Sequence, residues 1–246
     1  MDAERMDAER LDLSVVLPVY RNRETLQALH RRLCAVLDPL GRAYELLFVN
    51  DACPEGSGAV LEEIARTDPR VVVLTLDRNA GQQRAVLTGL RHARGGWVVV
   101  MDADLQDPPE AIPALLDAGQ PEAAGQPEAA AVFAGRRGRY ESSLRLLTSR
   151  VFKRTMRLLC GVPADAGLYV AMNRQMIERV LVLDNPRPHL VAMIGCAGLP
   201  VVSIPMRRAE RPAGRSAYTS RDRLRVAWGA LTWTLAYKLR TRGARI

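Results

Sequence analysis

Four near-continuous apolar runs punctuate the first hundred residues: LSVVLP at 13–18, LLFVN at 46–50, VVVLTL at 71–76 and WVVVM at 97–101. None alternates polar with apolar positions along its length, so each predicts a strand buried on both faces. Between the runs the period changes. Residues 24–37 place Leu26, Leu29, Leu33, Val36 and Leu37 on one helical face, and further helices are predicted at 59–66 and 81–93. Strand, helix, strand, helix at this rhythm means an α/β fold with a mostly parallel sheet and helices packed on its faces. Ligands of such sheets bind beyond the carboxyl ends of the strands, where Tyr20, Asp51, Asp77, Asn79, Asp102 and Asp104 fall. No GxGxxG follows the first strand, which removes the main support for a dinucleotide-dependent dehydrogenase.

The second half repeats the pattern less regularly. Residues 131–135, 168–172 and 201–205 predict strands, and helices are expected over 142–160 and from Arg174 onward. GQPEAA occurs twice in 119–130, a polar, Pro-broken surface loop lengthened by duplication, which is tolerated because closure entropy rises slowly with length. The tail, 221–240, aligns Leu224, Trp228, Leu231, Leu235 and Leu239 on one stripe, with Arg221, Arg225 and Lys238 around it and Trp233 and Tyr237 beside it. This predicts a basic amphipathic helix, and its apolar run is too short to cross a bilayer. Such a helix lies in a membrane interface, or packs its stripe on the main domain, or pairs with a second subunit to make a homodimer. The expected organisation is a disordered tandem MDAER repeat at 1–11, one domain over 12–206, and a basic loop with the tail helix at 207–246.

Composition narrows the class. A chain of 246 residues with 48% hydrophobic content can bury a full core in one domain. Its net charge of +8 is uneven: from 207 onward eleven Lys and Arg face only Glu210 and Asp222, so the rest is close to neutral. A tail of that sign suits an anionic surface or a phosphate, although a merely solvated basic face has the same composition. No nucleic-acid-binding motif accompanies it. Cys34, Cys53, Cys160 and Cys196 are widely spaced with no CxxC pair, which argues against a zinc site or a disulfide framework and for a reducing compartment. The first residues lack the basic and apolar regions of a signal peptide. The expected location is cytoplasmic, peripheral to the membrane's cytoplasmic face if the tail helix binds there.

Candidate chemistry concentrates in WVVVMDADLQDPPE, 97–110. The strand delivers Asp102 and Asp104 to its carboxyl end, where two acids one residue apart repel each other unless something positive sits between them. A divalent cation does this, and hard oxygen ligands suit Mg²⁺ or Mn²⁺. Gln106 adds a neutral oxygen, and Asp107 is placed to cap the helix that Pro108 and Pro109 begin. The bland alternative is a strand end carrying solvated acids.

The string DADLQDPPE resembles the metal-binding segment of family 2 glycosyltransferases, and within that family it is most similar to the dolichyl-phosphate mannose synthase and bacterial polyprenyl-phosphate glycosyltransferase branch. PVYRNRETL, VNDACPEGS and RNAGQQRAVLTGL resemble the segments that precede it there, in the same order. The resemblance implies a GT-A type sheet and an inverting, metal-dependent transfer of sugar from a nucleotide-sugar donor, a GDP- or UDP-sugar. It places Asp102, Asp104 and Gln106 on the metal and assigns Pro18, Tyr20, Asn22, Asp51, Asn79, Gly81 and Asp102 to the donor. Asn22 and Asn50 depart from the usual Glu and Asp. It further implies that Arg137, Arg145 and Ser149 bind an acceptor phosphate, that of a polyprenyl phosphate, and that Arg211, Gly214, Arg215 and Ser216 belong to a loop closing over both phosphates, with Ala217 where the family has Lys. Asp165 is the candidate general base or acceptor-positioning carboxylate, or else a cap. A hydroxyl of a soluble small molecule, peptide or natural product is the alternative acceptor. His189, alone in a Pro-flanked turn, is assigned nothing.

Overall fold

A computed structural model of the protein describes residues 11–120, 128–137, 154–183, 185–207 and 220–243, and at 136–137, 207, 220–224 and 242–243 the backbone alone. The strands are β1 (Leu13–Val19), β2 (Tyr44–Asn50), β3 (Val71–Thr75), β4 (Trp97–Val100), β5 (Ala131–Arg137), β6 (Val170–Asn173) and β7 (Val201–Arg207). The helices are α1 (Leu26–Leu37), α2 (Ser57–Thr67), α3 (Gln82–His92), α4 (Ile112–Asp117), α5 (154–160), α6 (Arg174–Leu181), α7 (Leu190–Ala197) and α8 (Ser220–Gly243).

All seven strands join one sheet in the order β3-β2-β1-β4-β6-β5-β7. Pairing is parallel except around β6, which runs against both β4 and β5. Strand order reverses beside β1, which pairs with β2 on one side and β4 on the other. Such a reversal leaves a crevice beyond the carboxyl ends of the strands. The segments that leave β1, β2 and β4 all open onto it.

Alternate residues of β1 serve opposite layers, as the two-residue period of a strand requires. Leu13, Val15, Leu17 and Val19 pack with α1, α2 and α4, whereas Val16 joins the cluster under α3, α6, α7 and α8. The apolar runs therefore are continuous because both faces are covered. β2 starts two residues before its run, since Glu45 can be buried: Ser14 Oγ donates to it at 2.7 Å and Arg94 reaches both oxygens through its backbone N–H and guanidinium. Paired and hydrogen-bonded, the carboxylate is tolerated inside.

Two elements differ from expectation. α7 is apolar on every side and so has no helical period; Leu190, Met193 and Cys196 are all buried. It is capped by His189, whose Nδ1 accepts the Ala192 N–H at 3.3 Å. α8 is present, but its apolar residues divide between two faces. Ala230 and Trp233 face the core, with Trp233 stacked on Tyr237 at 5.4 Å. Trp228, Leu235 and Leu239 of the expected stripe are 68%, 50% and 62% exposed.

Candidate active site

The loop after β4 is tied down from several sides. Thr25 Oγ1 donates to Ala103 O at 2.7 Å and to Asn22 O at 2.9 Å, joining this loop to the one that leaves β1. Asp107 does not cap a helix. It is 2% exposed and accepts the Asp102 N–H at 3.3 Å, folding the loop back on the strand end, while Pro108 occupies the cap position of the following turn. Tyr169 OH, on the segment entering β6, donates to Pro108 O at 2.8 Å. Asp104 Oδ1 accepts the Gln106 N–H at 3.1 Å, the local turn that short acidic side chains favour.

Left-handed backbone marks the same rim. Arg21, Ala52 and Leu105 have φ of 61°, 48° and 62°, and among the described residues they are the non-glycine ones with positive φ. Each lies a few residues beyond the end of β1, β2 or β4. Conformations of this kind cost roughly 1–3 kcal/mol apiece and cluster where side chains must be aimed.

Asp51 and Asp102 are linked through a single turn. Ala80 and Gly81 donate their backbone N–H groups to Asp51 at 2.6 and 2.9 Å, and Gln82 Nε2 donates to Asp102 Oδ1 at 2.6 Å. Gly81, at φ 86°, lets the chain turn from Asp51 into α3. Asp51 is 2% exposed, so its carboxylate organises the donor-side loop from within. Tyr20 and Gly81 are half-buried and Asn79 is exposed, whereas Pro18 is buried inside β1 opposite Val49. Asn22 Oδ1 accepts the Tyr20 N–H at 3.0 Å.

Asp165 stands across the crevice. A Cβ on Gly135 would lie 2.1 Å from Asp165 Oδ2 and 2.5 Å from Ser203 Oγ. The bare glycine of β5 is therefore what admits the carboxylate, and Ser203 Oγ is buried there with no hydrogen-bond partner among the described residues. β5 lies two strands from β4, about 10 Å at the usual spacing. Register pairs the backbones of Arg137 and Arg207 at the end of β5 and β7. Arg145, Ser149, Arg211, Gly214, Arg215, Ser216 and Ala217 lie outside the described residues.

Asp102, Asp104 and Gln106 thus share one pinned five-residue turn, and their donors are all oxygens. That set fits a hard divalent cation. Sequence reasoning missed Thr25, Gln82 and Ser203; Thr25 and Gln82 each had a signal, lying within the PVYRNRETL and RNAGQQRAVLTGL segments.

Residues 14–181 match the model of glycosyl transferase family 2. The chain is 31% identical over 94% of its length to an uncharacterized glycosyltransferase of Bacillus subtilis (strain 168), covering 70% of that protein. It is 32% identical over 84% of its length to an undecaprenyl-phosphate 4-deoxy-4-formamido-L-arabinose transferase of Edwardsiella ictaluri (strain 93-146), covering 62% of it. Its fold is similar to glucosyl-3-phosphoglycerate synthase from Mycobacterium tuberculosis in complex with Mn²⁺, UDP and glucosyl-3-phosphoglycerate, with a TM-score of 0.63, 18% identity, and coverage of 95% of this chain and 82% of that one. It is also similar to a mannosyltransferase from Pyrobaculum calidifontis in complex with GDP-Man and Mn²⁺, with a TM-score of 0.58, 17% identity, and coverage of 96% and 76%.

Proposed function

This chain belongs to glycosyl transferase family 2, and from that premise we propose that it moves a sugar from a GDP- or UDP-sugar onto the phosphate of a polyprenyl phosphate, with inversion at the anomeric carbon. One juxtaposition carries the reading: the Ala80–Gln82 turn gathers Asp51 and Asp102 at the switch point, while Asp165 and the Arg137 position stand two strands away. The relatives named for undecaprenyl-phosphate sugar transfer support the acceptor class.

On the donor side, Tyr20, Asn79 and Gly81 border the nucleoside, and Asp51 holds their loop in place. Asp102, Asp104 and Gln106 hold Mg²⁺ or Mn²⁺, which when bound neutralises the diphosphate and the charge growing on the leaving nucleotide. A lipid phosphate has its second pKa near ~6 and attacks as an anion at neutral pH. No strong base is needed; Arg137, Arg145 and Ser149 hold and orient it. Arg211, Arg215 and Ser216, between β7 and α8, close over both phosphates and exclude water.

α8 brings the chain to the lipid. Its exposed Trp228, Leu235 and Leu239 sit among Arg225, Lys238 and Arg240, a combination suited to an anionic membrane interface. No described helix is long and apolar enough to cross a membrane.

Incubation with undecaprenyl phosphate and individual nucleotide sugars, with Mn²⁺, Mg²⁺ or chelator, tests the proposal. The expected product is a lipid-linked sugar of inverted configuration that forms only with the cation. The second reading, a soluble hydroxyl acceptor, is favoured by the seat of Asp165 over Gly135, because a hydroxyl needs a base. Turnover with soluble acceptors and none with the lipid phosphate would establish it instead.

A further inference from the structure

At the amino-terminal edge of the sheet, away from Asp102, His30, Cys34 and Asp68 converge. His30 and Cys34 are four apart on α1 and so share a face; Asp68 lies between α2 and β3. His30 Nε2 is 2.9 Å from Asp68 Oδ2 and 3.4 Å from Cys34 Sγ, and Cys34 Sγ is 3.6 Å from the same Oδ2. We propose that these three side chains form a zinc site.

The spacing is that of one face of a tetrahedron. Zinc bonds of about 2.0–2.3 Å separate neighbouring ligand atoms by roughly 3.3–3.6 Å. The sulfur edges already match, and the His30 to Asp68 edge opens by a few tenths of an ångström. A mixed nitrogen, sulfur and oxygen set favours zinc over the hard cations that suit Asp102 and Asp104. On binding, Cys34 gives its proton to solvent, His30 gives up the Nε2 proton that Asp68 accepts and keeps or takes one on Nδ1, and the ion takes the place of these protons between the three atoms.

Arg70 borders the seat. Its Nε and backbone N–H donate to Asp68 Oδ1 at 2.9 and 3.0 Å, and its Nη2 donates to Asp68 Oδ2 at 3.0 Å and to Cys34 Sγ at 3.7 Å. Each carboxylate oxygen has two acceptor directions, so the guanidinium orients the ligand as outer partners of metal sites do. Its charge is matched by Asp38, which it contacts at 2.5 Å and which also accepts from Tyr44 OH at 2.6 Å. Zinc with one thiolate and one carboxylate is then neutral. The His30 and Asp68 side chains are 17% and 8% exposed, open enough for entry and mostly shielded from water.

The absence of a CxxC pair, read from the sequence as an argument against zinc, has no bearing on a helical i, i+4 pair completed from another element. The ion would tie α1 to the approach to β3 and take no part in transfer.

The test is Co²⁺ titration of the full chain under reducing conditions, followed by competition with Zn²⁺. One equivalent of Co²⁺ is expected to give a thiolate-to-cobalt charge-transfer absorption, which Zn²⁺ abolishes. Cys34→Ser is expected to lose it, His30→Ala to weaken binding at least ~10-fold, and Cys53→Ser and Asp104→Asn to keep it, since the Asp104 site offers no sulfur. Zn²⁺ should raise the melting temperature of the wild type and leave that of Cys34→Ser unchanged. No charge-transfer absorption in the folded wild type, or one that survives Cys34→Ser, overturns the proposal.

Discussion

Gln82 donates its side-chain amide to Asp102 Oδ1 across 2.6 Å. The two residues before it place their backbone N–H groups on Asp51, so three consecutive residues couple the donor-side carboxylate to the proposed metal ligand. Replacing Gln82 by Ala removes a partner that aims Asp102 and leaves the chain otherwise intact. Half-saturation by Mn²⁺ in the transfer assay is expected to rise about 10-fold or more, the usual effect of losing an outer-shell partner. An unchanged Mn²⁺ dependence would mean that the amide is incidental.

Asp104→Asn separates chemistry from folding. The residue is 7% exposed and its Oδ1 accepts the Gln106 N–H, a bond that the Asn oxygen preserves. Transfer should fall by about 10²–10³ or more, the scale of losing one preorganised electrostatic contact, with an unaltered melting temperature. Turnover at the wild-type rate would refute the metal assignment.

Gly135→Ala inserts a Cβ 2.1 Å from Asp165 Oδ2 and 2.5 Å from Ser203 Oγ. The carboxylate must leave its seat, so transfer should drop while donor binding, followed by nucleotide-sugar titration, is retained. Asp165→Asn then separates the two acceptor classes. With a lipid phosphate the loss should stay below about 10-fold, whereas a hydroxyl acceptor should lose ~10²–10⁴-fold, the worth of a general base.

His189 makes the fold sensitive to acid. Burial holds its pKa down at about 4, against ~6.5 in an unfolded chain. Between those values the unfolded chain binds a proton that the folded one refuses, so stability falls as pH drops through that window. Protonation also ends the cap, because Nδ1 can no longer accept the Ala192 N–H. His189→Asn keeps a capping acceptor without the titration. Melting temperatures taken near about pH 7.5 and about pH 5 should show the wild type losing several degrees more than the variant.

How far the sequence could be read depended on whether local pattern carried the information. β1, β2 and β4 were legible because strands covered on both faces write themselves as unbroken apolar runs. The chemistry was legible at Asp102 and Asp104 for the same reason, since the end of such a run is a rim. α7 was not, because a helix buried all round has no period. In α8 the stripe showed only one of two apolar faces: Trp228, Leu235 and Leu239 are the exposed one, while Ala230 and Trp233 face the core. Glu45 was invisible as a strand residue until Ser14 and Arg94 supplied its partners. Asp107 looked like a cap and Gln82 was one residue of a predicted helix; what each does is set by Asp102, reached only when the sheet brings β4 to the turn before α3.

The reversal of β6 has a practical consequence. β5 finishes on the rim and β6 begins there, so the connection between them starts and ends at the same lip. Such an excursion can be lengthened, shortened or exchanged without rerouting any strand. Choice of acceptor, on the reading proposed above, is then a replaceable cassette mounted beside a donor half that stays constant.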